Sequence, residues 1–286
     1  MKRSMFVLAT LMATSLMAHD PTPACLANPL SGLTGNHVFQ IEGQAGYQYG
    51  ITGVFNASTA VDRGGNTVGV LKITASSILG HPTAINQYDT ITYTRLESDA
   101  GKYTVNADCK GGSLIFNLSS RPMQFDFWFF DGGRQIYIVS TSSGRQAVGR
   151  AAVGTNGCPA GVTNPLTLLN GNSTFSGHSV QVGPFIENLG YTIAGVWNAF
   201  TGLDRGGNTV GGLAITATSS LGFFGSVTRL EADAGRHQAN ADCSGGTLHF
   251  NLSSRPVQFD FWYADGFQQL YFISTSGLPV IGWASR

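Results

Sequence analysis

Residues 123–129 read Met-Gln-Phe-Asp-Phe-Trp-Phe, and their side chains alternate between two faces. One face carries Met123, Phe125, Phe127 and Phe129, and the other carries Gln124, Asp126 and Trp128. A period of two is typical of a β-strand with one face in a core, because successive side chains of a strand point to opposite sides. The runs at 114–118 and 135–140 alternate in the same way, and glycine-rich turn signals separate them. The stretch therefore predicts a short antiparallel strand in an all-β protein.

The chain contains this unit twice. Residues 95–142 align without gaps on residues 229–276, and 32 of the 48 positions are identical. Further upstream, Asp62-Arg-Gly-Gly-Asn recurs from Asp204 and predicts a hairpin turn in each copy. A repeat period of about 133 residues is the size of a domain and is too long for a solenoid repeat. The sequence therefore predicts two homologous domains in tandem.

Each unit is predicted to be a meander of short antiparallel strands. About eight strands close into a barrel whose interior holds packed side chains or one small ligand. The predicted fold is therefore all-β, with two tandem antiparallel β-barrels, and two-sheet β-sandwiches are the alternative. The predicted organisation is a signal peptide at 1–18, barrel repeat 1 at 19–150, a linker at 151–163 that contains Cys158, and barrel repeat 2 at 164–286.

The first 18 residues have the pattern of a secretory signal. Lys2 and Arg3 precede an apolar run that begins at Met5, and small residues follow up to Ala18. The run is too short to span a bilayer, and no later stretch of 18 uninterrupted apolar residues follows. Cys25 lacks the aliphatic residue that a lipoprotein acylation signal needs three positions earlier. We expect a bacterial protein that is secreted or periplasmic and is not a lipoprotein.

The four cysteines fit an oxidising compartment. They are Cys25, Cys109, Cys158 and Cys243, and four cysteines allow three pairings. The intervals 25–109 and 158–243 are nearly equal, which favours one disulfide in each repeat.

Composition excludes other classes of protein. Charged residues are 11% of the chain and the net charge is +0, whereas soluble domains typically carry about 25% charged residues. No basic surface that would bind nucleic acid is predicted. Disorder is also excluded, because 42% of the residues are hydrophobic.

Several motifs resemble a class of secreted bacterial lipocalin-like barrels. They are Gly195-Val-Trp with its counterpart Gly53-Val-Phe, the run Lys102-Tyr-Thr-Val-Asn-Ala-Asp-Cys-Lys-Gly-Gly, and Tyr137-Ile-Val-Ser-Thr. This class is similar in outline to the calycins and to allene-oxide-cyclase-type barrels. The resemblance implies the barrel fold and no particular activity. The second unit departs from the pattern at His237, where the first has Tyr103.

One group of charged residues is a candidate binding site. Arg95, Glu97 and Asp99 recur as Arg229, Glu231 and Asp233. At positions i, i+2 and i+4 of a strand they would share one face. Facing a barrel lumen, they would bind a polar ligand or form an acid–base pair with Asp126 or Asp260; facing outward, they would form a solvated ladder, which we favour. The face of Asp126 and Asp260 is expected in solvent, since burial would require an arginine partner.

The aromatic strands give the second candidate site. Their rings either fill each barrel as a core, which we favour, or line an apolar cavity. Phe129 and Tyr263 belong to the same aromatic strands. The predicted ligand-binding residues are Arg95, Glu97, Phe125, Phe127, Tyr137, Arg229, Glu231, Phe259, Phe261 and Tyr271.

No catalytic residue, metal or cofactor is assigned. The nucleophile motif Gly-x-Ser-x-Gly and a P-loop are absent, and the six histidines form no sequence cluster. His19 would become a copper ligand only if a second histidine faced it. We predict a non-enzymatic binding or surface-interaction protein, with a small apolar ligand or a polysaccharide as partner. The alternatives are a barrel-type cyclase or isomerase that acts on an apolar substrate, and a structural component of the cell exterior. The sequence sets no oligomeric state.

Overall fold

The computed structural model describes residue 25 and residues 27–44, 48–81, 90–118, 121–143, 146–179, 191–221, 226–252, 255–276 and 279–286. The predictions of a signal peptide and of a copper ligand at His19 lie outside these residues. Within the described ranges, no helix combines the length and the apolar character that a membrane span needs.

Within the described residues, sixteen strands form two closed antiparallel barrels. Barrel 1 consists of β1 (Gly35–Gln44), β2 (Gln48–Val61), β3 (Thr67–His81), β4 (Thr90–Val105), β5 (Gly111–Leu118), β6 (Arg121–Phe130), β7 (Gln135–Ser140) and β8 (Gln146–Val153). Barrel 2 consists of β9 (Gly171–Ser179), β10 (Tyr191–Leu203), β11 (Thr209–Leu221), β12 (Ser226–Ala239), β13 (Gly245–Leu252), β14 (Arg255–Ala264), β15 (Gln269–Ser276) and β16 (Val280–Ser285). Each barrel closes because its first strand pairs with both its second and its eighth strand. The prediction of two tandem barrels is confirmed, and the sandwich alternative is wrong.

The side chains of residues 123–128 alternate between the core and the outer face of barrel 1, as the sequence predicts. Met123, Phe125 and Phe127 are buried in the core of barrel 1, whereas Gln124 and Trp128 are exposed. The hairpin turns are also as predicted. The Asp62 carboxylate accepts hydrogen bonds from the backbone amide and the side chain of Asn66 and from the backbone amide of Gly64, and these bonds lower the pKa of Asp62; both amide bonds measure 2.8 Å. Asp204 makes the same turn in barrel 2.

Two disulfides join the cysteines as the equal intervals predict. Cys25 bonds to Cys109 and Cys158 bonds to Cys243. Cys109 and Cys243 occupy equivalent tight turns and have positive φ angles of 55° and 58°, a conformation that residues with a Cβ atom seldom adopt. Cys25–Cys109 ties the segment before barrel 1 to the turn between β4 and β5. Cys158–Cys243 ties the segment before barrel 2 to the turn between β12 and β13.

A short 3₁₀ helix precedes each barrel and packs leucines into its core. The helices are Pro29–Leu33 and Pro165–Leu169. Tyr103 donates a hydrogen bond from its hydroxyl to the Leu30 carbonyl at 3.0 Å, and His237 Nε2 lies 3.2 Å from the equivalent Leu166 carbonyl. The substitution of histidine for tyrosine at this position therefore keeps the contact with the 3₁₀ helix.

The barrels meet through their outer surfaces. An apolar cluster joins residues of β1, β3 and β8 to residues of β14, β15 and β16: Val38, Ile78, Ala152, Trp262, Ala264, Tyr271, Ile273 and Ile281, with Val54 packed against it. We call this set the inter-barrel cluster. Gln40 donates a hydrogen bond to the Gly282 carbonyl at 3.0 Å, and the Asp265 amide donates to the Val153 carbonyl at 2.8 Å.

Charged groups surround the inter-barrel cluster. His178 Nε2 lies 2.9 Å from the Glu42 carboxylate, which raises the pKa of His178. Arg150 lies over the ring of Tyr271 at 5.0 Å, and Arg134 pairs with Asp265. The contact thus has an apolar centre and a polar rim, as stable protein interfaces do.

The prediction that both aspartates face solvent is wrong for Asp260. Asp126 is partly exposed, whereas Asp260 is only 4% exposed because barrel 1 covers the outer face of β14. Ser76 of barrel 1 donates a hydrogen bond to the Asp260 carboxylate at 2.7 Å. A hydroxyl from the other barrel thus serves as a partner where the sequence suggested an arginine.

Replacing Ser76 with alanine should destabilise the barrel contact. The buried Asp260 carboxylate would lose a donor, and such a loss costs about 1–3 kcal/mol. The matched control is Thr218→Ala, because Thr218 is the equivalent residue of barrel 2 and is exposed; we expect a change below about 0.5 kcal/mol there. Urea unfolding of dilute protein, followed by tryptophan fluorescence, measures both variants. Equal effects of the two substitutions would contradict the assignment.

Acid should destabilise barrel 1 through His37. This residue stacks on Phe55, and its Nε2 lies 2.9 Å from the Leu33 carbonyl. Burial lowers the pKa of His37 from 6.5 to about 4, so the unfolded chain binds the proton more tightly. The free energy of unfolding should therefore fall by about 3 kcal/mol as the pH drops from 6.5 towards 4.

The variant His37→Gln should reduce this dependence on pH in urea titrations. A remainder should persist, because burial also lowers the pKa of His237. His249→Gln is the control, since His249 is only partly buried on β13. An unchanged slope in the His37 variant would show that His37 does not carry the effect.

Candidate functional site

A cleft of about 600 Å³ lies between the two barrels, beside the inter-barrel cluster. Barrel 1 contributes side chains from the outer faces of β1, β2 and β3. Barrel 2 contributes the turn between β12 and β13 and the outer face of β14. The polar lining residues are Asn36, Asn56, Lys72, Thr74, Ser76, Thr155, Asn240, Asp242, Ser244 and Asp260.

The barrel 1 wall carries a chain of amide groups. Asn56 donates a hydrogen bond from Nδ2 to Oδ1 of Asn36 at 2.6 Å, and Asn36 donates from its own Nδ2 to Oδ1 of Asn156 at 2.7 Å. Asn36 also donates to the Thr155 carbonyl at 3.3 Å. These bonds tie β1 and β2 to the segment that connects the barrels, so the amides are held in place before any ligand arrives.

The barrel 2 wall is the tight turn that contains Cys243. Asp242 accepts hydrogen bonds from the Ser244 amide at 3.0 Å and from the Ser244 hydroxyl at 2.7 Å. Asn240 donates from Nδ2 to the Ser244 hydroxyl at 3.2 Å. The Thr155 hydroxyl reaches the Cys243 carbonyl at 3.4 Å. Because the disulfide Cys158–Cys243 fixes this turn, the wall is also held in place.

The buried side of the cleft is partly apolar. Val38, Ser76, Asp260 and Trp262 are all less than 9% exposed and line the cleft together. Lys72 supplies one positive charge, whereas Asp242 and Asp260 supply two carboxylates. The cleft therefore offers hydrogen-bond donors and acceptors in similar numbers, a slight excess of acid, and an apolar patch at Trp262.

The chemistry that the cleft offers is set by its polar side chains. Among the residues that the structure describes, no group of three or more histidine, cysteine, aspartate or glutamate side chains could hold a metal ion. All four cysteines are bonded in the two disulfides. The lining carries amides, hydroxyls, carboxylates and the ammonium group of Lys72, and several of these groups hydrogen-bond to one another.

The barrel interiors are packed with aromatic rings. In barrel 1, Phe116 contacts Phe39, Phe55 and Phe125, with ring centroids 5.2 to 5.8 Å apart. In barrel 2, Phe259 contacts Phe250 and Phe272 at 5.0 and 5.2 Å. Among the predicted ligand-binding residues, Phe125, Phe127, Phe259 and Phe261 all lie in these cores. The structure brings these phenylalanines together as packed core side chains, two in each barrel.

The two predicted tyrosines lie outside the barrels. Tyr137 is 51% exposed on the outer face of β7. Tyr271, its equivalent on β15, is buried in the inter-barrel cluster, and burial raises its pKa. Neither ring joins the phenylalanines of the interior. Side chains of a strand alternate between its two faces, and both tyrosines occupy positions on the face that points away from the barrel interior.

The side chains of Arg95, Glu97, Arg229 and Glu231 lie outside the described part of the structure. The backbone at these positions is described, and it is irregular. A register shift falls between Ile73 and Ala75 where β3 pairs with β4, and Arg95 lies opposite Ser76 whereas Asp99 lies opposite Ile73. Barrel 2 has the same shift between Ile215 and Ala217. The uninterrupted alternation that the prediction assumed is therefore broken at this point.

Sequence reasoning missed the cleft. The sequence indicates Asn240-Ala-Asp-Cys only as the repeat of a turn motif, and it assigns no binding role to Asn56. A single strand or turn carries no signal of which barrel it will face, so the pairing of these two walls could not be read from either repeat alone.

No protein-family model matches the chain, and no curated protein matches it. Solved structures that are similar to the chain include three proteins. A protein of unknown function of the DUF3598 family from Nostoc punctiforme is 11% identical, with 90% of this chain and 97% of that chain covered and a TM-score of 0.21. Kievitone hydratase from Nectria haematococca is 10% identical, with 89% of each chain covered and a TM-score of 0.24. A putative AttH from Nitrosomonas europaea is 9% identical, with 88% and 92% covered and a TM-score of 0.26. Similarity at this level transfers neither a ligand nor an activity to this chain.

Proposed function

We propose that this protein is a non-enzymatic binding protein that holds a polyhydroxylated ligand, such as a segment of polysaccharide, in the cleft between its barrels. The observation that carries the proposal is the cleft itself. The two barrels contribute polar side chains to one cleft, and its volume of about 600 Å³ lies in the range of small-molecule sites.

The polar groups of the cleft match sugar hydroxyls. A hydroxyl both donates and accepts a hydrogen bond, and the side-chain amides of Asn36, Asn56 and Asn240 can do the same. The carboxylate of Asp242 accepts, and the ammonium group of Lys72 donates. The slight excess of carboxylates disfavours an anionic ligand, because like charges repel across a short distance. A neutral carbohydrate is therefore the class of ligand that we expect.

The barrel interiors support an apolar ligand less well. A ligand in barrel 1 would have to displace rings such as Phe55 and Phe116, which are 0% exposed. Opening a packed core loses contact energy and leaves strain in the surrounding side chains. The cleft needs no such rearrangement, since its walls already stand apart.

The proposed location is outside the cytoplasm. Two disulfides agree with an oxidising compartment, and the first 18 residues carry the predicted signal peptide. The resemblance to secreted lipocalin-like barrels agrees with this location. A binding protein outside the cytoplasm would meet polysaccharides of cell surfaces directly.

Replacing Asp242 with alanine should weaken carbohydrate binding at least tenfold. The variant removes a carboxylate from the cleft and the bond that orients Ser244. Suitable probes are fluorescently labelled, short neutral oligosaccharides of glucose, mannose and N-acetylglucosamine, titrated against the full chain by fluorescence polarisation.

Asp108→Ala is the matched control for this substitution. Asp108 occupies the equivalent turn of barrel 1 and accepts a hydrogen bond from the Lys110 amide at 3.1 Å, but it does not line the cleft. Both substitutions disturb the same kind of turn, so only the cleft distinguishes them. Equal affinities of the two variants, or no binding of any oligosaccharide by the unmodified chain, would contradict the proposal.

A further inference from the structure

Exposed apolar side chains concentrate on two outer faces of the molecule. The first, which we call the β6–β8 face, carries Trp128, Tyr137, Val139 and Val148. The second, which we call the β10–β11 face, carries Val196, Phe200 and Val210. These seven side chains are between 40% and 63% exposed. Patches of this kind on a folded protein mark sites of interaction.

The β6–β8 face has an equivalent that is already buried. By the alignment of the repeats, Trp128, Tyr137 and Val139 correspond to Trp262, Tyr271 and Ile273. Val148 corresponds to Ile281, because each lies opposite the matching residue of the neighbouring strand. The four residues of barrel 2 are 0–8% exposed, since barrel 1 covers them in the inter-barrel cluster. Barrel 1 presents the same kind of surface without a cover among the described residues.

The β10–β11 face contains the counterpart of part of the surface that provides this cover. Within the chain, β2 and β3 of barrel 1 contact β15 of barrel 2. Val54 and Ser76 belong to that surface, and their counterparts in barrel 2 are Val196 and Thr218, both exposed. The β10–β11 face therefore keeps an apolar residue and a hydroxyl at the two matching positions.

We propose that a second copy of this chain occupies the β6–β8 face. The β6–β8 face of one chain would pack on the β10–β11 face of the next, just as the outer face of β14–β16 packs on β1–β3 within the chain. Thr218 would then be placed to donate to Asp126, as Ser76 donates to Asp260. Such a contact is heterologous, so it builds a ring when the rotation closes and an open filament when it does not.

The contact between chains should be weaker than the contact within a chain. At the positions of Val38 and Gln40, barrel 2 has Thr174 and Ser176, which supply less apolar surface and a shorter donor. The contact between chains also lacks the covalent connection that gives the two barrels a high effective concentration. We therefore expect reversible, concentration-dependent association.

Sedimentation velocity of the full chain over a wide range of concentration tests the proposal. The unmodified chain should form species larger than a monomer. Val139→Glu on the β6–β8 face and Val196→Glu on the β10–β11 face should each remain monomeric, because each places a charge in the contact. Val61→Glu is the control, since Val61 is exposed at the β2–β3 turn, away from both faces, and it should associate normally. Circular dichroism of each variant verifies that the barrels are folded.

A mixture of the two variants identifies the geometry. The Val196→Glu chain retains its β6–β8 face and the Val139→Glu chain retains its β10–β11 face, so together they should form a dimer that cannot grow further. A monomeric unmodified chain at every concentration would overturn the proposal. So would association that Val139→Glu abolishes and Val196→Glu does not, since that result indicates two β6–β8 faces in a symmetric pair.

Discussion

The apolar contact between the barrels is the constraint on which the rest of the molecule depends. Each barrel closes on itself through strand pairing. Among the residues that the structure describes, strand pairing between the barrels is limited to a bridge between Gly154 and Ala264. Burial of the inter-barrel cluster fixes their relative position. The position of the cleft walls, the burial of Asp260 and the environment of Tyr271 all follow from that contact.

The contact gives nearly identical sequences different environments. Asp126 and Asp260 have the same neighbours in sequence, yet one is partly solvated and the other is buried beside Ser76. Tyr137 and Tyr271 differ in the same way. An outer face that is merely exposed in one copy becomes an interface in the other. The duplication thus provides within one chain a comparison of the same strand with and without a partner.

The fold could be predicted to a large extent, because its determinants are local or repeated. The two-residue alternation of 123–129 and the identity of the two repeats predict paired barrels, and the intervals between cysteines predict the disulfides. The candidate site could not be predicted in this way. Alternation separates the inside of a barrel from its outside, but it does not distinguish an outside that faces water from one that faces another barrel. The register shift beside Ala75 also has no signal in composition or period.

The cleft is a consequence of packing two convex barrels. Curved surfaces touch over a limited area and diverge beyond it, and the region of divergence here lies beside the buried pair of Ser76 and Asp260. One wall is the amide chain of Asn36 and Asn56, and the other is the turn at Asp242. Because each wall belongs to a different barrel, binding in the cleft requires that the inter-barrel cluster remain intact. Ligand affinity and the stability of the barrel contact are therefore linked. A ligand that binds only when both walls are in place stabilises the contact, to an extent that grows with the ratio of the free ligand concentration to Kd.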